Sequence, residues 1–305
     1  MPILAANGIE IMCEPIGNPA YPALIMINGL GGQLIGSSGF VFDEDLCRRI
    51  AAAGFYVIRF DNRDVGLSTK FDGAAVPDLM ETLDRAEAGE AVDAPYTIAD
   101  MADDAAALLT ALGIEKAHVC GASMGGMIAQ TLALRHPSRV WSLISMMSSS
   151  GDPDLPPGTP EARRALFEPV PVEREANVRH TLRAAQAISG TGFPFDAQRV
   201  QRQAERAYDR CFYPMGVARH FMAVLAQGSR RSALRRIKAP TLVIHGGDDP
   251  LLPPAHGRDT ADAIGHAAFV VIDGMGHDLP PAAWPLLSDH ITSFLGRTMR
   301  PGSDG

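Results

Sequence analysis

Six apolar runs, each closing on a glycine-rich or acidic loop, constrain this chain more than any other feature. They are ALIMINGLGG (23–32), YVIRFDNRD (56–64), KAHVCGASMGG (116–126), VWSLISMMSS (140–149), TLVIHGGDD (241–249) and AAFVVIDGMGH (267–277). An almost unbroken run such as the first is how a strand buried on both faces reads, and such strands occur where helices cover a parallel sheet. The intervals supply those helices. DEDLCRRIAAAG (43–54) has helical spacing and a glycine stop. TIADMADDAAALLTALG (97–113) opens on the capping candidate Thr97 and places Met101, Ala105, Leu108, Leu109 and Leu112 on one face. Further helices are expected from Met127, over 254–264 and over 282–297, and NGIEIMCEPIG suits one or two antiparallel edge strands. Strand, helix, strand with short links means parallel βαβ units and an α/β fold.

One segment breaks the rhythm. Residues 151–238 begin DPDLPPGTP and continue as Arg-, Ala- and Gln-rich helical sequence without a strand pattern. They read as a helical cap inserted between strands of a core formed by 1–150 and 239–298, with a disordered tail at 299–305. The 305 residues suffice for such a domain, and 46% hydrophobic with 20% charged residues is a globular composition.

A net charge of −8 argues against nucleic acid or an anionic membrane surface as partner. No uncharged apolar run reaches the roughly 18 residues of a membrane span, and the N-terminus lacks the pattern of a signal peptide. Cys13, Cys47, Cys120 and Cys211 form no CxxC pair. Reduced thiols in the cytoplasm, and no metal, are the expectation.

The chemistry centres on Gly121-Ala122-Ser123-Met124-Gly125, a G-x-S-x-G match with a strand before it and a helix after it. A side chain on so sharp a corner sits in an unfavourable backbone conformation, so Gly121 and Gly125 must lack bulk. Serine needs a base to remove its proton. His277, in GMGHD after the last strand, stands at the carboxyl end of the sheet where sites of parallel sheets form. The acid comes from the adjacent pair Asp248 and Asp249, with Asp249 favoured as farther past its strand; Asp152 and Asp154 are the alternatives. Asp61 is read as structural, pairing with an arginine or capping its loop. The oxyanion donors expected are the N–H groups of Met124 and of Leu30 in NGLGG. Among the remaining histidines, His245 is a candidate to support the site and His118 lies within a strand. His136 ends the helix after the turn, and His180, His220, His256, His266 and His290 are expected at solvated helical positions.

Together NGLGG, RFDNRDVGLS, GASMGGMIAQ, TLVIHGGDDP and GMGHDLP resemble the α/β-hydrolase superfamily over nearly the whole chain. With SGTGFPFD (189–196), the closest likeness is to the polyketide-tailoring, aclacinomycin methylesterase-like carboxylesterases. Asn28 departs from the histidine that many such enzymes carry there. The resemblance implies a mostly parallel central sheet flanked by helices, a helical cap, and a Ser–His–Asp esterase acting without metal or cofactor. By motif, Ser123, Asp249 and His277 take the triad positions, and Leu30 and Met124 the oxyanion hole. The implied substrate is a small-molecule ester, medium to bulky and apolar, such as a polyketide methyl ester or macrolide-type lactone. Thioester hydrolase, lactonase, C–C hydrolase, perhydrolase and hydroxynitrile lyase activities stay open on the same residues, as do a hydrolase-fold ligand receptor and a homo-oligomer. The cap aromatics Phe167, Phe193, Phe195, Tyr208, Phe212, Tyr213 and Phe221 are compatible with a bulky substrate, although most are expected to be ordinary core.

Overall fold

A computed structural model describes residues 1–35, 42–75 and 79–298; the tail expected at 299–305 lies outside the described residues. Eight strands form one sheet: β1 (Ile3–Ala6), β2 (Ile9–Ile16), β3 (Ala23–Ile27), β4 (Tyr56–Phe60), β5 (Ala117–Ala122), β6 (Val140–Met146), β7 (Thr241–Gly246) and β8 (Ala268–Ile272). The order across the sheet is β1-β2-β4-β3-β5-β6-β7-β8. β1 pairs antiparallel with β2, and β2 with β4. Every later pairing is parallel. The carboxyl ends of β3, β5, β7 and β8 therefore open on one side.

The central apolar runs have no polar face because both faces are covered, whereas β8 at the edge is only partly buried. All five residues of β3 are buried. Ile25 and Ile27 join one cluster, while Leu24 and Met26 join the other. The first cluster is closed by α3 (Ile98–Ala111) and α4 (Met124–Arg135), the second by α1 (Glu44–Ala52) and α11 (Trp284–Thr298). In α3, Thr97 forms a capping box with Asp100, which satisfies the first free N–H groups of the helix. α2 (Leu79–Glu87), which the sequence pattern did not suggest, packs on the helix Pro214–Gln227.

Between β6 and β7 the regular elements of the described chain are all helices: α5 (Pro160–Phe167), α6 (Arg174–Ile188), α7 (Ala197–Arg210), α8 (Pro214–Gln227) and α9 (Arg231–Leu234). α10 (Ala255–Ile264) then links β7 to β8. Charged pairs join the insertion to the core. Arg210 of α7 meets Asp61 at 2.6 Å, and Arg219 of α8 meets Asp64 at 2.6 Å with both side chains fully buried. Asp61 thus pairs with an arginine from 149 residues further on. Such pairs offset their desolvation only when their other hydrogen bonds are made. Here they are made: Tyr96 Oη and the Phe71 N–H donate to Asp64 at 2.8 and 2.9 Å, and the Leu34 N–H donates to Asp61 at 2.6 Å.

Three of the histidines expected in solvent are buried instead. His220 is 0% exposed, His180 7% and His256 8%. Their helices are covered by the core or by neighbouring insertion helices, and an imidazole can be buried wherever its nitrogens find partners. His256 finds Ser149 Oγ (2.8 Å) and the Pro156 carbonyl (2.9 Å). No helix among the described residues is long and apolar enough to cross a membrane.

Candidate active site

The turn from β5 into α4 places Ser123 at φ +56° and ψ −123°, a region costly for any residue with a Cβ. The surrounding chain leaves no room to relax it. A Cβ on Gly121 would lie 2.0 Å from the Gly125 carbonyl oxygen, and one on Gly125 would lie 2.0 Å from that of Ile27. The Ser123 N–H donates to the Met146 carbonyl (2.9 Å), and Ser148 Oγ donates to the Ser123 carbonyl (2.8 Å). The corner is over-determined, which is how a strained conformation persists. The near contact of Gly125 with the end of β3 also sets the NGLGG loop beside the corner.

His277 follows β8 and is fully buried. Its Nε2 lies 3.0 Å from Ser123 Oγ and its Nδ1 2.7 Å from Asp249 Oδ2. Asp249 Oδ1 accepts from the N–H groups of Leu251 (3.0 Å) and Leu252 (2.9 Å), which aims the other oxygen at the imidazole. Burial alone would raise this carboxyl; the facing His277, its hydrogen bond and the nearby His245 outweigh it and hold the group well below the usual carboxylate range. His245 Nε2 donates to the Leu252 carbonyl (2.7 Å) and lies 3.4 Å from Asp249 Oδ2.

The alternatives point elsewhere. Asp248 accepts from the hydroxyl and, at 3.2 Å, the N–H of Thr191. Asp152 lies 3.8 Å from Arg231, and its Oδ1 accepts from the Asp154 N–H. Beside the histidine, Asp278 accepts from the Gly276 N–H (3.2 Å), and burial pushes its carboxyl up to about 6.

The N–H groups of Leu30 and Met124 have no acceptor among the described residues. Met124 opens α4, so its N–H is one of the free donors at a helix start. A partly open cavity lies between core and insertion, with Leu30, Gly31 and Val65 on the core side and Leu166, Phe212 and Val217 opposite. Ser123, Asp249 and His277 do not themselves line it, but two lining residues adjoin them: Leu30, in the loop after β3, and Ile188, whose carbonyl accepts from the His277 N–H at 2.8 Å. Of the aromatics singled out in the insertion, Tyr208, Phe212 and Tyr213 line this cavity, and Phe195 lines a second, smaller one. Phe167 and Phe221 pack on each other at 4.9 Å, and Phe193 packs against the core. Sequence reasoning passed over Gln33, Arg210 and His220, which hold the NGLGG loop. The apolar spacing of α8 gave no sign that one of its polar residues faces a core loop.

A buried serine–imidazole–carboxylate chain at the open ends of a parallel sheet, entered from a strained strand-to-helix corner, defines a class of protein. The family model of the alpha/beta hydrolase fold matches residues 22–280, and the chain belongs to that family. Within it, the chain stands among the carboxylesterases. It is 31% identical to rhodomycin D methylesterase DauP of Streptomyces sp. strain C5, over 92% of this chain and 93% of that one. It is 30% identical to rhodomycin D methylesterase DnrP of Streptomyces peucetius, with the same coverage. Among solved structures it is similar to the enol-lactonase from Burkholderia xenovorans LB400. That likeness has a TM-score of 0.69 at 25% identity and spans 97% of this chain and 100% of the other.

Proposed function

We propose that this chain hydrolyses the methyl ester of a polyketide-type carboxylic acid through an acyl-enzyme on Ser123. The observation that carries the reading is the pair of contacts on one imidazole, 3.0 Å to Ser123 Oγ and 2.7 Å to Asp249 Oδ2. His277 Nε2 takes the hydroxyl proton as Oγ bonds to the ester carbon. The carbonyl oxygen becomes an oxyanion, held by the N–H groups of Leu30 and Met124, each typically worth ~10²–10³ in rate. The protonated His277, stabilised by Asp249, gives its proton to the departing methoxide as the carbon–oxygen bond breaks, releasing methanol. A water molecule, deprotonated by the same imidazole, then cleaves the acyl-enzyme to the free acid and restores Ser123.

Likeness to the two rhodomycin D methylesterases supports the methyl ester, and the cavity between core and insertion, with Leu30, Val65, Leu166 and Phe212 on its walls, suits an apolar acyl part. Residues 151–238 serve as the cap that walls this cavity. The four cysteines, all unpaired thiols, fit a reducing cytoplasm. Likeness to an enol-lactonase supports a second reading, lactone opening on the same residues, in which the leaving alcohol stays tethered to the acid.

A fluorophosphonate probe, followed by a panel from p-nitrophenyl esters through aromatic polyketide methyl esters to lactones, tests the reading. The expected outcome is a covalent mass on the peptide holding Ser123 and release of methanol from the methyl esters. Ser123→Ala should lose both the adduct and at least about 10⁴ in turnover while remaining folded. An unlabelled Ser123, or a variant that turns over normally, overturns the assignment; cleavage of lactones alone selects the second reading.

A further inference from the structure

The loop that carries the Leu30 N–H is held from outside the sheet. Gly29 to Gly32 form a turn closed by the Gly32 N–H on the Gly29 carbonyl (3.1 Å), and the third residue, Gly31, has φ +66°. Such a turn leaves the N–H groups of its second and third residues without partners inside it. The two meet different fates here. The Gly31 N–H donates to Nδ1 of His220 at 3.3 Å, whereas the Leu30 N–H has no acceptor among the described residues. His220 lies on α8 and is fully buried; its Nε2 is 2.7 Å from the Arg63 carbonyl. A carbonyl only accepts, so Nε2 carries the proton and Nδ1 presents the lone pair that the Gly31 N–H requires. Val217, three residues earlier on α8, closes on the same glycine: a Cβ at 31 would lie 3.0 Å from a Val217 methyl.

We infer that His220 is a positioning residue for the hydrolysis, fixing the peptide next to the one that supplies the Leu30 N–H to the oxyanion. The inference rests on the esterase reading above. Glycine at position 31 permits the Leu30–Gly31 peptide to flip, the motion that interconverts turn types. His220 opposes the flip, because it would turn the Leu30 carbonyl toward the Nδ1 lone pair, acceptor against acceptor. A loop free to flip would hold the Leu30 N–H in place with that of Met124 only part of the time. Burial pushes His220 down to about 4, so the accepting form persists at neutral pH. A second tie runs in the same direction: Gln33 Nε2 donates to the Cys211 carbonyl (2.8 Å) and the Ala207 carbonyl (3.2 Å) at the end of α7.

The test compares His220→Leu, which removes the acceptor, with His220→Asn, whose side-chain oxygen can take the place of Nδ1. The readouts are kcat and KM on a p-nitrophenyl ester and the affinity for a trifluoromethyl ketone, which forms a tetrahedral adduct on serine. H220L should lower kcat about 10- to 100-fold with KM little changed, weaken the ketone by a similar factor, and be largely rescued in H220N. If H220L does not fold, H220A takes its place in the comparison. Wild-type kcat in the acceptor-free variant, or equal losses in both variants, overturns the inference. Failure of the wild-type protein to label at Ser123 overturns the esterase reading instead, and that measurement precedes the variants.

Discussion

The reactive corner has two sides, and different parts of the chain hold them. Ser123, His277 and Asp249 follow β5, β8 and β7, and their side chains bond to one another and to the turn after β7. The loop bearing Leu30 follows β3, where Asn62 Nδ2 donates to the Asn28 carbonyl (3.1 Å), yet its glycine turn is fastened from the insertion as well. Gly31 bonds to His220 of α8, Gln33 to the end of α7, and Arg210 of α7 to both Gln33 (3.0 Å) and Asp61. In the proposed reaction the groups that make and break bonds therefore depend on the sheet, while one oxyanion donor depends also on helices inserted between β6 and β7. Damage to the first side should appear as lost chemistry in a stable protein. Damage to the second should appear in stability and in the placement of one donor.

The largest expected effect falls on the sheet side. In Asp249→Asn the remaining oxygen keeps the Leu251 and Leu252 N–H groups, so the amide NH₂ faces His277 Nδ1. The imidazole must then accept there and carry its proton on Nε2, toward Ser123, where no base remains. A loss of about 10⁴ in kcat with an unchanged urea midpoint is expected. Loss of stability on the scale of the activity loss would mean that Asp249 holds the fold rather than the imidazole.

This asymmetry matches what the sequence made legible. β3 is buried on both faces, so its apolar run announced it, and Thr97 announced α3 by local capping chemistry. Of the adjacent aspartates only Asp249 meets His277, and that follows from a backbone turn within three residues. The insertion was legible as helices but not as a fastening. Arg219 and His220 sit in a helix of ordinary apolar spacing, and their partners Asp64, Arg63 and Gly31 lie 155 to 189 residues away. No local pattern records such pairings. α2 went unnoticed because its cover comes from α8.

A smaller effect is expected where the insertion is pinned. Arg219→Met leaves the Asp64 carboxylate buried with only Tyr96 Oη and the Phe71 N–H, and removing one partner of a buried pair costs about 3–5 kcal/mol. Urea unfolding at pH 7 measures it. A cost under about 1 kcal/mol would mean that α8 is held by apolar packing, and the contrast between the two sides would narrow.

The smallest effect samples both sides at once. His118 in β5 and His220 in α8 are each pushed down to about 4 by burial. Both folded values lie below the unfolded value near 6.5, so the unfolded chain takes up protons first as pH falls. The stability is fully present above that value and drains away toward pH 4, by on the order of 2 kcal/mol per histidine between pH 7 and 5. Asp278, raised to about 6, opposes this, since its folded form binds a proton more readily and gains stability as pH falls through that range. The discriminating quantity is therefore the change in slope on substitution. His118→Gln and His220→Leu should each flatten the pH dependence of the urea midpoint by a similar amount, but only the α8 substitution should also lower kcat. If the β5 substitution lowers kcat equally, the donor loop responds to the sheet as much as to the insertion, and the division of labour proposed for the two sides fails.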